Sequence, residues 1–238
     1  MAEKARLRLD HYGRVLNYTS KMQDKEISKA VVEASGQLLK EFGLELRHQK
    51  SVSLVEIVAT LREAFPTVDF AEHYGTSSMN PDGGILSIVR ASDDRDLPIL
   101  IAEKKNQGTN DLRAHEGLKK QAMGNAIERL GKNVIGFRTM MLEEGIMPFV
   151  CFGDGHDFRA ESTLLDRVKT IAMFGELNKI HVVNQGDSGQ FNRGSFFFRQ
   201  SEWTKDDMVP LMVDVGSRSI HYYLAKYGKQ AFRPLPRA

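Results

Sequence analysis

Residues 79–108 read "MNPDGGILSIVRASDDRDLPILIAEKKNQG", and their reading decides the fold. Two apolar runs, Ile85 to Arg90 and Leu97 to Lys105, flank the polar turn "ASDDRD", which is the pattern of a β-hairpin. The second run is apolar through Ala102 and then turns abruptly to Glu103, Lys104 and Lys105. An antiparallel pairing that sets residue 91 opposite 97 puts Ile85 opposite Glu103 and Asp82 beside the same strand end. Side chains alternate along a strand, so Glu103 and Lys105 share one face while Ala102 and Lys104 take the other. The pair Gly83-Gly84 lets the backbone bend and offers close approach to another backbone, such as a phosphodiester.

Two carboxylates and a lysine at the end of a buried strand suit phosphodiester hydrolysis. Magnesium takes oxygen ligands, typically one or two carboxylates with water and substrate phosphate, and an ammonium group nearby steadies the attacking water or the charge growing on phosphorus. In that reading Asp82 and Glu103 hold the metal and Lys105 assists the nucleophile. The same residues also fit a plain Pro-Asp-Gly turn followed by a solvated strand end.

Outward from this hairpin, the chain predicts helices at about 24–41 and 53–64. Two more follow at 115–130 and 133–144, then the strand "MPFVCF", a helix over 164–174 and strands at 180–183 and 195–199. A helix from about 205, interrupted near Pro210 and Gly216, closes the fold. Strands alternating with helices point to an α/β protein, a mixed sheet sandwiched by helices. At 238 residues, 41% hydrophobic and 27% charged, the expectation is a single domain over 1–238. No apolar run is long enough for a membrane span and the N-terminus has no signal core, so a cytoplasmic protein is expected. The single cysteine, Cys151, sits in a strand-like run and reads as an inert buried thiol. The seven histidines show no paired zinc spacing.

A net charge of +2 does not by itself imply nucleic acid, but its distribution is uneven. Residues 103–138 carry eight Lys or Arg against four acids, and 217–238 carry five bases and no acid. Such runs are solvated faces or tracks for a phosphate backbone. Within the first lies "LKKQAMGNAIERLGKN", residues 118–133. On a helix, Asn125 and Arg129 share a face, with Gln121 a turn earlier. Amide and guanidinium groups of this kind read adenine and guanine edges in the major groove. An ordinary amphipathic helix with Ile127 and Leu130 inward fits the same spacing.

Taken together, "SSMNPDGGI", "IAEKKNQG" and "GNAIER" followed by "KN" resemble the EcoRI family of restriction endonucleases, the AATT-cutting branch of the PD-(D/E)xK nucleases. The likeness extends to "DKEISKAVVEA", "LRHQKSVSLVEIVATLREAFP", "MPFVCFGDGHDF", "LLDRVKTIAMFG" and "LMVDVGSRSIHYYL", in the same order. The resemblance implies a restriction-endonuclease-like core with Asp82, Glu103 and Lys105 as the catalytic triad. It further implies that Asn125, Ala126 and Arg129 read the inner AATT, that Arg167 contacts the outer base pair, and that the small Ala122 lets the backbone carbonyl there reach a cytosine of that outer pair.

The implied protein is a Mg²⁺-dependent homodimer acting on double-stranded DNA, with a cognate methyltransferase as its genetic partner rather than a binding partner. Cleavage would leave 5′-phosphate ends with four-base 5′ overhangs, GAATTC being the favoured site over CAATTG. Alternatives are a repair or structure-selective nuclease of the same fold, or a DNA-binding regulator that has lost catalysis. Four departures from the family pattern stand out. Asn106 replaces the histidine after the catalytic lysine, Met123 replaces a small residue, Leu164 replaces the first of two arginines, and the segment between Phe158 and Leu164 is short.

Overall fold

The structure is a computed structural model that describes residues 16–106, 117, 125–158, 160–183 and 191–235. Its centre is a five-stranded mixed sheet. In chain order the elements are α1 (Leu16–Phe42), β1 (Leu46–Gln49), β2 (Val52–Ser53), α2 (Leu54–Ala64), β3 (Ser78–Met79), β4 (Gly84–Val89) and β5 (Asp96–Asn106). They continue as α3 (Asn125–Met140), β6 (Phe149–Asp154), α4 (Thr163–Ile171), β7 (Ser195–Arg199) and α5 (Lys205–Tyr227). The sheet order is β1-β4-β5-β6-β7, while β2 and β3 form a separate two-stranded ribbon. The first two pairings are antiparallel and the last two parallel.

Each parallel step requires a crossover, and a helix supplies it. Thus α3 links β5 to β6 and α4 lies between β6 and β7, both against one face of the sheet together with α2. Ile57, Leu61, Ile127, Leu130, Val134, Phe137 and Val168 from these helices pack on Ile85, Ile101, Phe149 and Cys151. On the opposite face, α1 and α5 bury Ile27, Val31, Leu38, Met212 and Tyr223 against Leu86, Leu97, Ile99, Leu100 and Ala102. The expected mixed sheet between helical layers is what forms.

The hairpin forms with a different register. Val89 pairs with Asp96 and Ile85 with Ile101, not with Glu103. Two features cause the shift. The turn closes early, with the Arg90 amide donating to the Arg95 carbonyl and Asp94 at φ 60°. A bulge then falls between Leu86 and Ser87, whose partners are Leu100 and Pro98, leaving Ile99 as the extra residue. Pro98 has no amide to give to a ladder, and bulges are where sheets tolerate proline. The bulge also reverses the facing of β5. Leu97 and Ile99 point to the α1–α5 side, and so do Leu100 and Ala102, which frees the other side for Ile101, Glu103 and Lys105.

Other elements differ from expectation in instructive ways. Helix α5 is uninterrupted, with Pro210 early in the helix and Gly216 where the backbone approaches Leu38 so closely that a Cβ would lie 2.6 Å from its Cδ1. Residues 125–140 form one helix with no break near 131; the remainder of the predicted 115–124 lies outside the described residues except Gly117. Residues 180–183 do not form a strand. They run beside β7 and are held by single bonds, the His181 amide to Ser195 Oγ and the Met147 amide to the Val182 carbonyl. Among the described residues no helix is long and apolar enough to cross a membrane.

Candidate active site

Asp82, Glu103 and Lys105 meet at the end of β4 and β5 despite the shifted register. The Gly83 amide donates to the Ala102 carbonyl at 2.9 Å and so extends the ladder one residue past β4. Asp82, next along, gives its own amide to Glu103 Oε2 at 3.2 Å and accepts the Lys104 amide on Oδ2 at 3.1 Å. Lys105 Nζ lies 3.1 Å from the same Oδ2 and forms an ion pair with Glu103 Oε1.

The glycines serve the protein itself. A Cβ on Gly83 would sit 2.7 Å from Ala102 Cβ, and one on Gly84, at φ 80°, would sit 2.5 Å from His48 Nε2 and 2.6 Å from the Gln49 carbonyl. The close approach expected for a phosphodiester is therefore taken by β1 and β5. His48 contributes actively, because its Nε2 lies 2.9 Å from the Gly83 carbonyl. A carbonyl only accepts, so the proton resides on that nitrogen. Edge strand β1 thus pins the turn that carries Asp82.

Burial is uneven across the trio. The Glu103 side chain is 1% exposed, Lys105 14% and Asp82 31%. Burial pushes the Glu103 carboxyl above its ordinary range, against the pull of the Lys105 charge. For Lys105 burial acts downward, but the charges of Glu103 and Asp82 outweigh it and hold the ammonium protonated well above its usual range. Cys151 lies beside Glu103 on β6, fully buried, and burial lifts its thiol well above the usual value. It is inert, as expected for an apolar strand position.

The donor set fits a hard divalent cation. Glu103 Oε1 is already engaged by Lys105 and by Asn133 Nδ2, at 3.0 Å from the latter. Asp82 Oδ2 is engaged by the Lys104 amide and by Lys105. Among the described residues that leaves Asp82 Oδ1 and one lone pair of Glu103 Oε2 as open acceptors. Two carboxylate oxygens, completed by water and phosphate, are a normal magnesium complement. No group of three or more His, Cys, Asp or Glu side chains suited to a metal occurs among the described residues.

Helix α3 presents Glu128, Arg129 and Lys132 to solvent while Ile127, Leu130 and Val134 face the core. Asn125 and Ala126 form its first turn, and Gln121, Ala122 and Met123 lie outside the described residues. Arg167 is exposed on α4, in the same layer; Leu164, one turn earlier, is buried among Val168 and its neighbours. The basic C-terminal stretch is mostly committed to ion pairs: Arg218 with Asp214 at 2.7 Å, Lys226 with Glu144 at 3.0 Å and Arg233 with Asp94 at 2.8 Å. These contacts favour a structural role for it over a phosphate track.

A mixed sheet between helical layers, with Pro81-Asp82 on one strand end and Glu103-Lys104-Lys105 on the next, is the architecture of the PD-(D/E)xK restriction-endonuclease class. A family model described as restriction endonuclease EcoRI matches residues 12–164. The chain is 32% identical over 235 residues to the type II restriction enzyme EcoRI of Escherichia coli, covering 82% of each protein. It is 26% identical over 240 residues to the type II restriction enzyme RsrI of Cereibacter sphaeroides, covering 87% of this chain and 86% of that protein. The chain belongs to the EcoRI family of type II restriction endonucleases, which are site-specific deoxyribonucleases.

Proposed function

We propose that this chain, acting in the cytoplasm as a single-domain subunit of a homodimer, hydrolyses both strands of a palindrome centred on AATT. GAATTC is favoured over CAATTG, and the products carry 5′-phosphates on four-base 5′ overhangs. The observation that carries the catalytic half is the convergence of Asp82, Glu103 and Lys105 with open carboxylate oxygens.

Asp82 Oδ1 and Glu103 Oε2 would hold Mg²⁺, which when bound acidifies a water and stabilises charge on the phosphoryl oxygens. In the metal-free protein the charges of Glu103 and Asp82 hold Lys105 as an ammonium. It neutralises the acid pair in the resting protein and stands beside the open carboxylate oxygens to steady charge on the phosphate. Retention of all three residues argues against a regulator that has lost catalysis. Asn125, Ala126 and Arg129 supply the readers of the inner bases, with Gln121 and Ala122 preceding them and Arg167 assigned to the outer pair. An arginine fork prefers guanine O6 and N7, which is the basis for GAATTC. A two-fold dimer presents one α3 to each half-site. A methyltransferase that protects the same sequence is the expected genetic partner.

Digesting plasmid DNA with and without Mg²⁺, then run-off sequencing the ends, tests the reading. Cuts before AATT within GAATTC, only with the metal, are expected. Cuts within CAATTG would overturn the outer-pair assignment, and cuts lacking AATT would overturn the specificity altogether.

A further inference from the structure

Asn133 lies four residues beyond Arg129 and eight beyond Asn125 on α3, so the three positions share a helix face. Its half-buried side chain turns toward the sheet, and Nδ2 donates to Glu103 Oε1 at 3.0 Å. The orientation of the amide follows from its partner, because an ionised carboxylate only accepts. Among the described residues this is the one side-chain hydrogen bond joining α3 to Asp82, Glu103 or Lys105.

Without it, Glu103 Oε1 would keep only Lys105, whose flexible stem fixes a distance but not a plane. With it, the Glu103 carboxylate is held at both ends: Oε1 by Asn133 and Lys105, Oε2 by the Asp82 amide. The remaining acceptor on Oε2 is then directed beside Asp82 Oδ1. We propose that Asn133 is a positioning residue that orients the Glu103 carboxylate for the metal and ties it to the helix carrying Arg129. This inference rests on the proposed nuclease function and extends it, since a shift of α3 on meeting DNA would be felt directly at a metal-holding oxygen. Partners that orient metal ligands typically change metal affinity or activity by about 10–100-fold when removed.

The test compares the full-length wild type with Asn133→Ala and Asn133→Asp. The alanine removes the donor, and the aspartate keeps the shape but sets a carboxylate against Glu103. Three quantities are read on each: affinity for a GAATTC duplex without metal, Mn²⁺ half-saturation followed by electron paramagnetic resonance on the complex with an uncleavable duplex, and single-turnover cleavage against Mg²⁺ concentration. Asn133→Ala should bind the duplex within about 2-fold of wild type, while Mn²⁺ half-saturation rises and cleavage at limiting Mg²⁺ falls, each by about 10–100-fold. Asn133→Asp should be at least as impaired. Wild-type Mn²⁺ half-saturation in both variants would overturn the proposal, as would loss of duplex affinity with metal binding unchanged, which would make Asn133 a DNA contact. A wild-type protein that binds the duplex and Mn²⁺ but never cuts would refute the nuclease reading, while the Mn²⁺ titrations would still decide the role of Asn133.

Discussion

Lys104 and Lys105 are adjacent in sequence and sit on opposite faces of β5, in environments of opposite character. Lys104 is buried with Asp154 in a closed set: Nζ lies 3.2 Å from Asp154 Oδ2 and donates to the Trp203 carbonyl, and the Trp203 amide donates back to the same carboxylate. The Trp203 indole caps the set by donating to the Gly153 carbonyl at 3.0 Å. Lys105 belongs to an open set, in which two acids share one ammonium and carboxylate oxygens remain unengaged. The contrast teaches how to tell a structural charge from a chemical one. Both lysines are mostly buried and both are ion-paired, so burial and pairing do not discriminate. What discriminates is solvent access to the paired carboxylates: the Asp154 side chain is 3% exposed, whereas Asp82 is 31% exposed.

Paired substitutions break the comparison most sharply. Lys105→Ala should lower metal-dependent cleavage by orders of magnitude and cost less stability than Lys104→Ala, because Asp82 is partly open to solvent and Glu103 keeps its bonds from Asn133 and the Asp82 amide. Lys104→Ala should do the reverse, costing about 3–5 kcal/mol by leaving a buried carboxylate without its cation, yet cutting at close to the wild-type rate where it remains folded. The Lys104→Ala penalty should also depend on pH. Burial already raises the Asp154 carboxyl, and Lys104 opposes the rise. Removing Lys104 lifts it further, and a carboxyl raised in the folded state loses stability as pH increases, so the variant is least impaired in acid. Thermal melts between mildly acidic and mildly alkaline pH, run beside single-turnover assays, read both effects. A large Tm loss in Lys105→Ala with normal cleavage would reverse the assignment of the two faces.

A smaller effect is expected at helix α3. Arg129→Lys keeps the charge and loses the planar fork, so discrimination between a GAATTC duplex and a scrambled one should narrow by about 1–3 kcal/mol. Competition binding measures the ratio, and an unchanged ratio would remove Arg129 from the base readers.

Legibility followed how local each determinant is. The run Leu97 to Ala102 announced a buried strand, and the acid-then-lysine ending announced where chemistry sits, because both are written in consecutive residues. The facing of Lys104 and Lys105 followed from strand alternation alone. The register did not, because it depends on an early turn and on the bulge at Ile99, which Pro98 only hints at. Edge strand β1 was hidden by its own composition: Arg47, His48 and Gln49 lie at the sheet edge and lack the apolar alternation that marks a strand. His48 and Asn133 act on the site through bonds to residues 35 and 30 positions away, so no sequence window contains both partners. The four-residue spacing of Asn125, Arg129 and Asn133 was nevertheless a usable signal that the third belongs to the same face.

The central claim is that Glu103, in its open set with Asp82 and Lys105, holds the metal on which strand scission depends. Glu103→Gln preserves the size of the side chain while removing its charge and one of its two accepting oxygens, so it tests the carboxylate itself. Single-turnover cleavage of a GAATTC duplex, measured with metal-free binding of the same duplex, should show specific binding retained and cleavage lowered by orders of magnitude. Cleavage at the wild-type rate by Glu103→Gln would contradict the account.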